Sequence, residues 1–250
     1  MKSAADAELL YSAEFFAGQA DGSARSASIV VPLVLSLVPA RSVVDVGCGV
    51  GTWAAAFKAR GVDDVWGVDG AHVPLEQLRI PATRFLARDL TTLLRFDRTF
   101  DLAVCLEVAE HLPGWRADSL VADLCAAAPC VLFSAALPSD SGTGHVNEQY
   151  LPYWIERFAA RGYEAVDPIR PQILGNPAVE WWYQQNTVMF AAAGHRLLAA
   201  GFPKPQTFIH PDLYEAHRNR QLGLREIAKA LPRAARHWVQ LRWRGHRPSP

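Results

Sequence analysis

Four cysteines and two methionines in 250 residues leave little material for a disulfide framework or a thioether-rich surface. Cys48, Cys105, Cys125 and Cys130 lack the paired spacing that holds zinc, and three of them lie in apolar segments. They are expected as reduced thiols of the interior, and the chain as cytoplasmic. Long apolar runs are missing too. The longest, 27–38, is too short to span a bilayer and is interrupted by Pro32, so no membrane span is expected. Asp6 and Glu8, with no sustained apolar stretch beside them, argue against a signal peptide. Net charge is also absent, at +0, but the balance is uneven along the chain. From Pro203 onward ten Lys/Arg oppose three Asp/Glu, which leaves fifteen against twenty-two before it. A basic tail of this kind suits nucleic acid, an anionic surface or the acidic body of its own chain.

The residues that carry chemistry are concentrated. Val43-Val44-Asp45-Val46-Gly47-Cys48-Gly49-Val50-Gly51-Thr52-Trp53 reads as a buried strand entering a glycine-rich turn that opens a helix. Glycines at alternate positions let the backbone approach a ligand, and the helix N-terminus behind them favours a nucleotide. A dinucleotide fingerprint needs glycine at the sixth position, where this chain has Thr52; that argues against an NAD-dependent oxidoreductase. Three further strand-like segments follow: 64–70, ending in Asp69 and Gly70; 84–90, ending in Asp89 and Leu90; and 100–107, ending in Glu107. An acid one βα unit beyond the glycine loop, as Asp69 is, can accept hydrogen bonds from both hydroxyls of a ribose.

The D-x-G-x-G-x-G pattern from Asp45 to Gly51, with these strands behind it, resembles motif I of class I S-adenosylmethionine (SAM)-dependent methyltransferases over roughly Ser42 to Ala193. The resemblance implies a Rossmann-like α/β fold: a doubly wound, seven-stranded, mostly parallel sheet with an antiparallel last strand. It implies SAM as cofactor, held by Asp45, Gly47, Cys48, Gly49 and Gly51, with Asp69 and Gly70 at the ribose, Asp89 and Leu90 at the adenine, and Glu107 beyond the fourth strand. Residues 1–40 are then a helical lid over the cofactor, 41–202 the catalytic core and 203–250 a basic helical extension. Within the lid, Tyr11, Phe15 and Phe16 fall at helical spacing and residues 18–28 read as a small polar loop; further on, Thr52–Ala59 reads as the first helix, Tyr163–Ile169 as the strand before the last, and Asp212–Ala230 as a polar helix of the extension.

Methyl transfer to a hydroxyl also requires a proton to leave. Glu107-x-x-Glu110-His111 and the later His145 are candidates, with His111, His145 and Glu110 as catalytic groups. The same four residues resemble the set that holds a metal in small-RNA 2′-O-methyltransferases and ubiquinone-pathway O-methyltransferases, so a divalent cation such as Mg2+ is one expectation for Glu107, Glu110, His111 and His145. Helix capping beneath the cofactor is the other. Tyr183 to Ala192 reads as the last strand; Trp181, Trp182 and Tyr183 at its start cannot all face the core, and one is expected to line the acceptor cleft. Arg170 is a candidate for a substrate carboxylate or phosphate.

These features favour a small-molecule substrate, a sugar or natural-product hydroxyl. The alternatives are an RNA 2′-O-methyltransferase using the basic tail with Trp238 and Trp243, and a non-catalytic docking protein on the same fold.

Overall fold

The computed structural model describes residues 13–138 and 142–215, with side chains described from residue 21 onward. The chain divides into two compact units, Met1–Phe208 and Ile209–Pro250. In the second unit residues 211–215 are helical. The helix expected over Asp212–Ala230, together with Trp238 and Trp243, falls largely or wholly outside the described residues. So does Tyr11 of the lid.

The first unit is an α/β sandwich built in the order α1 (Ala13–Leu37), β1 (Ser42–Val46), α2 (Thr52–Ala59), β2 (Asp64–Asp69), β3 (Phe85–Ala87), β4 (Leu102–Leu106), α3 (Ala117–Ala127), β5 (Cys130–Ser134), α4 (Leu151–Ala159), β6 (Tyr163–Val166), α5 (Arg170–Ile173), α6 (Trp181–Asn186) and β7 (Val188–Ala192). The sheet has seven strands in the order β3-β2-β1-β4-β5-β7-β6. All neighbours from β3 to β5 pair in parallel, and β7 runs antiparallel to both β5 and β6.

Alternation along the strands divides the core into two layers. Val44, Val46, Ala103 and Phe133 face α3 and α4; Val43, Val104 and Leu132 face α1, α2 and α5. In α4 the buried positions Leu151, Trp154 and Phe158 make one apolar stripe at helical spacing. Phe158 stacks on Phe190 of β7 with centroids 3.8 Å apart. Full burial of each such side chain contributes about 1.5–3 kcal/mol. Strand order reverses between β1 and β4, and an open α/β sheet binds its ligands at that switch point, outside the carboxyl ends of the strands. The loops after Val46 and after Leu106 therefore flank the crevice.

Three expectations are corrected. Residues 18–28 are not a loop: α1 runs unbroken through them. Gly22 packs against the Glu180 side chain, whose Oε1 a Cβ there would approach to 2.4 Å. Ser26 Oγ donates to Gly22 O at 2.9 Å and accepts from Glu180 N at 3.0 Å. Residues 181–186 are helix α6 rather than the start of a strand, and β7 begins only at Val188. Gln184 explains the helix: Gly175 N donates to its Oε1 at 2.7 Å, and its Nε2 donates to Asn176 O and Val179 O, so its side chain satisfies the preceding loop. The sixth strand stops at Val166, and the residues that follow turn into α5. Among the described residues no helix is long and apolar enough to cross a membrane.

Candidate active site

The glycine loop is shaped by what lies beneath it. Gly47 has φ 79°, and a Cβ there would meet Val108 Cγ2 at 2.2 Å, so the residue answers both a left-handed backbone and a close approach to the loop after β4. Gly47 N and Cys48 N both donate to Val68 O, at 2.8 and 3.2 Å, which ties the loop to β2. Cys48 turns its thiol inward: a Cβ on Gly67 of β2 would lie 2.7 Å from the sulfur, and burial pushes the thiol well above its usual range. Cys48 thus offers a ligand its backbone only.

Two carboxylates sit under this loop. Asp69 ends β2 and accepts from Gly49 N at 2.7 Å and Gly70 N at 2.6 Å. It is buried, and desolvation raises its pKa against the opposing pull of those two donors. Asp45 is also buried. Burial and then the nearby Asp69 charge raise it from 3.8 to about 7, while the Ala54 backbone N–H in the first turn of α2 acts in the other direction. Its Oδ2 is enclosed without a hydrogen-bond partner among the described residues. A cationic or multiply donating ligand suits this pair, because it would supply what the protein leaves unmet. Asp89 is exposed beyond the end of β3 and accepts from Thr91 N and Oγ1 at 2.9 and 2.7 Å. Leu90 beside it is a core side chain whose carbonyl accepts from Arg116 Nε at 2.9 Å.

Across the switch point, Glu107 follows β4 with φ 56°, the one non-glycine with positive φ among the described residues. That conformation costs on the order of 1 kcal/mol or more and marks residues the surroundings hold in place. Ser134 does the holding: its O and Oγ both accept from Glu107 N, at 3.1 and 3.0 Å. The Glu107 carboxylate accepts from Asn186 Nδ2 at 3.2 Å. Asn186, missed in the sequence, accepts in turn from Gln185 Nε2 at 3.1 Å.

Ala109–His111 form one 3-10 turn, and the loop carrying His145 is stitched onto it. Val146 N and Asn147 N both donate to Glu110 O, at 2.8 and 2.9 Å. One ligand atom each from Glu110, His111 and His145 lie within 4.8 Å of one another. The His111 and His145 rings meet edge to face with centroids 4.7 Å apart. Glu107, the fourth residue of the expected set, is not in this group. Two imidazoles and a carboxylate suit a divalent ion of the zinc or manganese type, or a proton relay. Glu148 makes a 2.9 Å hydrogen bond with His145 Nδ1; the H-x-x-E spacing was visible in the sequence and went unread.

Two substrate candidates are corrected. Arg170 is spent on the fold: Nε and Nη2 bind Asp167 Oδ2 at 2.9 and 2.6 Å, Nη1 binds Gln185 O and Nη2 also binds Gln206 O. Tyr183 is buried, with its hydroxyl accepting from Trp53 Nε1 at 3.2 Å and lying 3.2 Å from Ser23 Oγ. It pins α1 and α2 to α6. Trp181 and Trp182 stand edge to face on α6 with centroids 5.6 Å apart, so the alternation argued for a strand does not apply to them.

A family model described as a methyltransferase domain matches residues 18–186, more than half of the chain. Among solved structures, the sugar N-methyltransferase KedS8 from a Streptoalloteichus species is similar at 16% identity and TM-score 0.56, covering 72% of this chain and 91% of that one. The amino pentose methyltransferase CalS10 from Micromonospora echinaspora gives 18% identity and TM-score 0.53, with 70% and 94% covered. The magnesium protoporphyrin IX methyltransferase from Synechocystis gives 18% and 0.51, with 71% and 88% covered. No curated protein gives a significant match. At such identities the structural likeness shows the fold, and the family match shows membership. The chain belongs to the methyltransferase domain family and is built on the class I SAM-dependent methyltransferase fold.

Proposed function

We propose that this protein transfers a methyl group from SAM to a hydroxyl of a small metabolite, of the sugar or natural-product class. The observation that carries the reading is the convergence, around one switch point, of a glycine loop over two buried carboxylates and a Glu110–His111–His145 cluster. The glycine loop and Asp69 would hold the nucleoside, with the ribose hydroxyls donating to the Asp69 carboxylate, and Asp45 and Glu107 would face the amino-acid part. When bound, SAM supplies an electrophilic methyl group on a sulfonium. Displacement on such a group needs alignment above all, and the two loops that flank the crevice hold each other through Gly47 and Val108. His145 or His111 would accept the proton of the acceptor hydroxyl. A divalent ion on Glu110, His111 and His145 would lower that hydroxyl's hold on its proton by charge.

Similarity to a sugar N-methyltransferase and an amino pentose methyltransferase supports a sugar-like acceptor and leaves nitrogen as the competing atom. The imidazole cluster can serve either atom, since a hydroxyl loses its proton on attack and an ammonium must lose one before it.

Calorimetric titration of the full chain with S-adenosylhomocysteine, in EDTA and again with excess Mg2+, tests the reading. Micromolar binding in both is the expected result, and a separate Mg2+-dependent heat adds the metal. No binding in either condition refutes the SAM assignment.

A further inference from the structure

The His145 ring is held from three sides. Its Nδ1 lies 2.9 Å from Glu148 Oε1. Its Cε1–Nε2 side lies so close to Gly142 that a Cβ there would approach both atoms to 2.2 Å. The His111 ring meets it edge to face at 4.7 Å. Around this, the Val146 and Asn147 amides fix the loop to Glu110 O, and Gln149 Nε2 donates to Asn147 Oδ1 at 3.0 Å.

From this geometry we infer that Glu148 is a positioning residue: it keeps the proton of neutral His145 on Nδ1 and so makes Nε2 the nitrogen that works. A carboxylate accepts but cannot donate, so the shared hydrogen belongs to Nδ1, and the Nε2 lone pair faces away from Glu148. What Nε2 then acts on rests on the proposed function. Acting as a base, it takes a hydroxyl proton while Glu148 stabilises the imidazolium that forms. Acting as a ligand, it is oriented by a carboxylate on its other nitrogen, the usual support of a metal-bound histidine. Glu148 has the same task in both cases.

The test is the tautomer. Free neutral imidazole favours the proton on Nε2, so a built-in preference for Nδ1 is visible in long-range 1H–15N correlation spectra of the labelled full chain. Spectra are recorded at alkaline pH, where ordinary imidazoles are neutral, with His145 assigned through His145→Gln. The wild type is expected with Nδ1 protonated. Glu148→Met, of similar length but with no acceptor, is expected to move the proton to Nε2, and Glu148→Gln, which keeps an oxygen, to hold it on Nδ1. A wild-type ring protonated on Nε2 overturns the inference whatever the variants do. So does an Nδ1 proton that survives in a folded Glu148→Met, because packing on Gly142 and His111 would then suffice. Titration with Zn2+ alone adds an independent readout: Glu148→Met should weaken binding about 10- to 100-fold. A wild type that binds no Zn2+ removes the metal reading of the cluster and leaves the tautomer result to stand by itself.

Discussion

Asp45 makes the stability of the ligand-free protein depend on pH in a direction opposite to that of most carboxylates. Its pKa rises from 3.8 to about 7, chiefly by burial and then by the Asp69 charge beside it. Between those two values the folded chain holds a proton on Asp45 that the unfolded chain has released. The unfolded state binds fewer protons there, so stability falls as pH rises from about 4 to about 7, and is flat on either side. At about 1.4 kcal/mol per tenfold change in proton affinity, this rise corresponds to about 4 kcal/mol. Asp45→Asn removes this titration together with its coupling to Asp69. Urea unfolding of the wild type and Asp45→Asn at pH 4, 6 and 8 reads the contribution of that pair, because carboxylates remote from it cancel in the difference. The variant should gain about 4 kcal/mol on the wild type between pH 4 and pH 8. A difference that stays constant within about 1 kcal/mol would show that the folded protein ionises Asp45 freely, and the electrostatic account of the loop would be wrong.

Asp69→Ala removes the proposed acceptor of two ribose hydroxyls, and S-adenosylhomocysteine affinity measured by calorimetry should fall at least about tenfold; unchanged affinity means the ribose lies elsewhere. Arg170→Met leaves the buried Asp167 carboxylate without its ion partner, so unfolding free energy should drop by about 3–5 kcal/mol with S-adenosylhomocysteine affinity intact in the folded fraction. Intact stability in that variant would contradict a purely structural Arg170.

The parts of the fold that could be read from the sequence are those where local pattern and tertiary role agree. The helix expected from Thr52 to Ala59 has those bounds in the structure, because the glycine loop, the buried strand before it and the apolar first turn all point the same way. Elsewhere one residue type serves two purposes. Gly22 and its serine neighbours have the composition of a turn, but Gly22 packs against Glu180 and Ser26 binds the Gly22 carbonyl and the Glu180 amide within one helix face. The run from Trp181 to Asn186 begins with the aromatic residues that favour a strand, yet the Gln184 side chain is turned to a loop five to nine residues upstream, which no periodicity reveals. Arg170 looked like a free cation because its partners Gln185 and Gln206 are remote in sequence; Asp167, three residues before it, was the one legible clue. In the site, the acids and the two histidines were readable as types, but the exclusion of Glu107 from the cluster depends on a left-handed backbone at its own position and on Asn186 across the sheet.

The strand order carries a consequence for how the chain is made. β6 precedes β7 in sequence, yet β7 lies between β5 and β6. Until residues 188–192 arrive, β5 offers an open apolar edge and β6 has no partner in the sheet, an arrangement prone to pairing with other chains. Asn186, which meets Glu107 across the crevice, comes just ahead of that closing strand. The acceptor side of the crevice is therefore finished in the same step that seals the sheet. A nascent chain released before β7 has its glycine loop in sequence but lacks the strand that follows Asn186 and closes the sheet between β5 and β6.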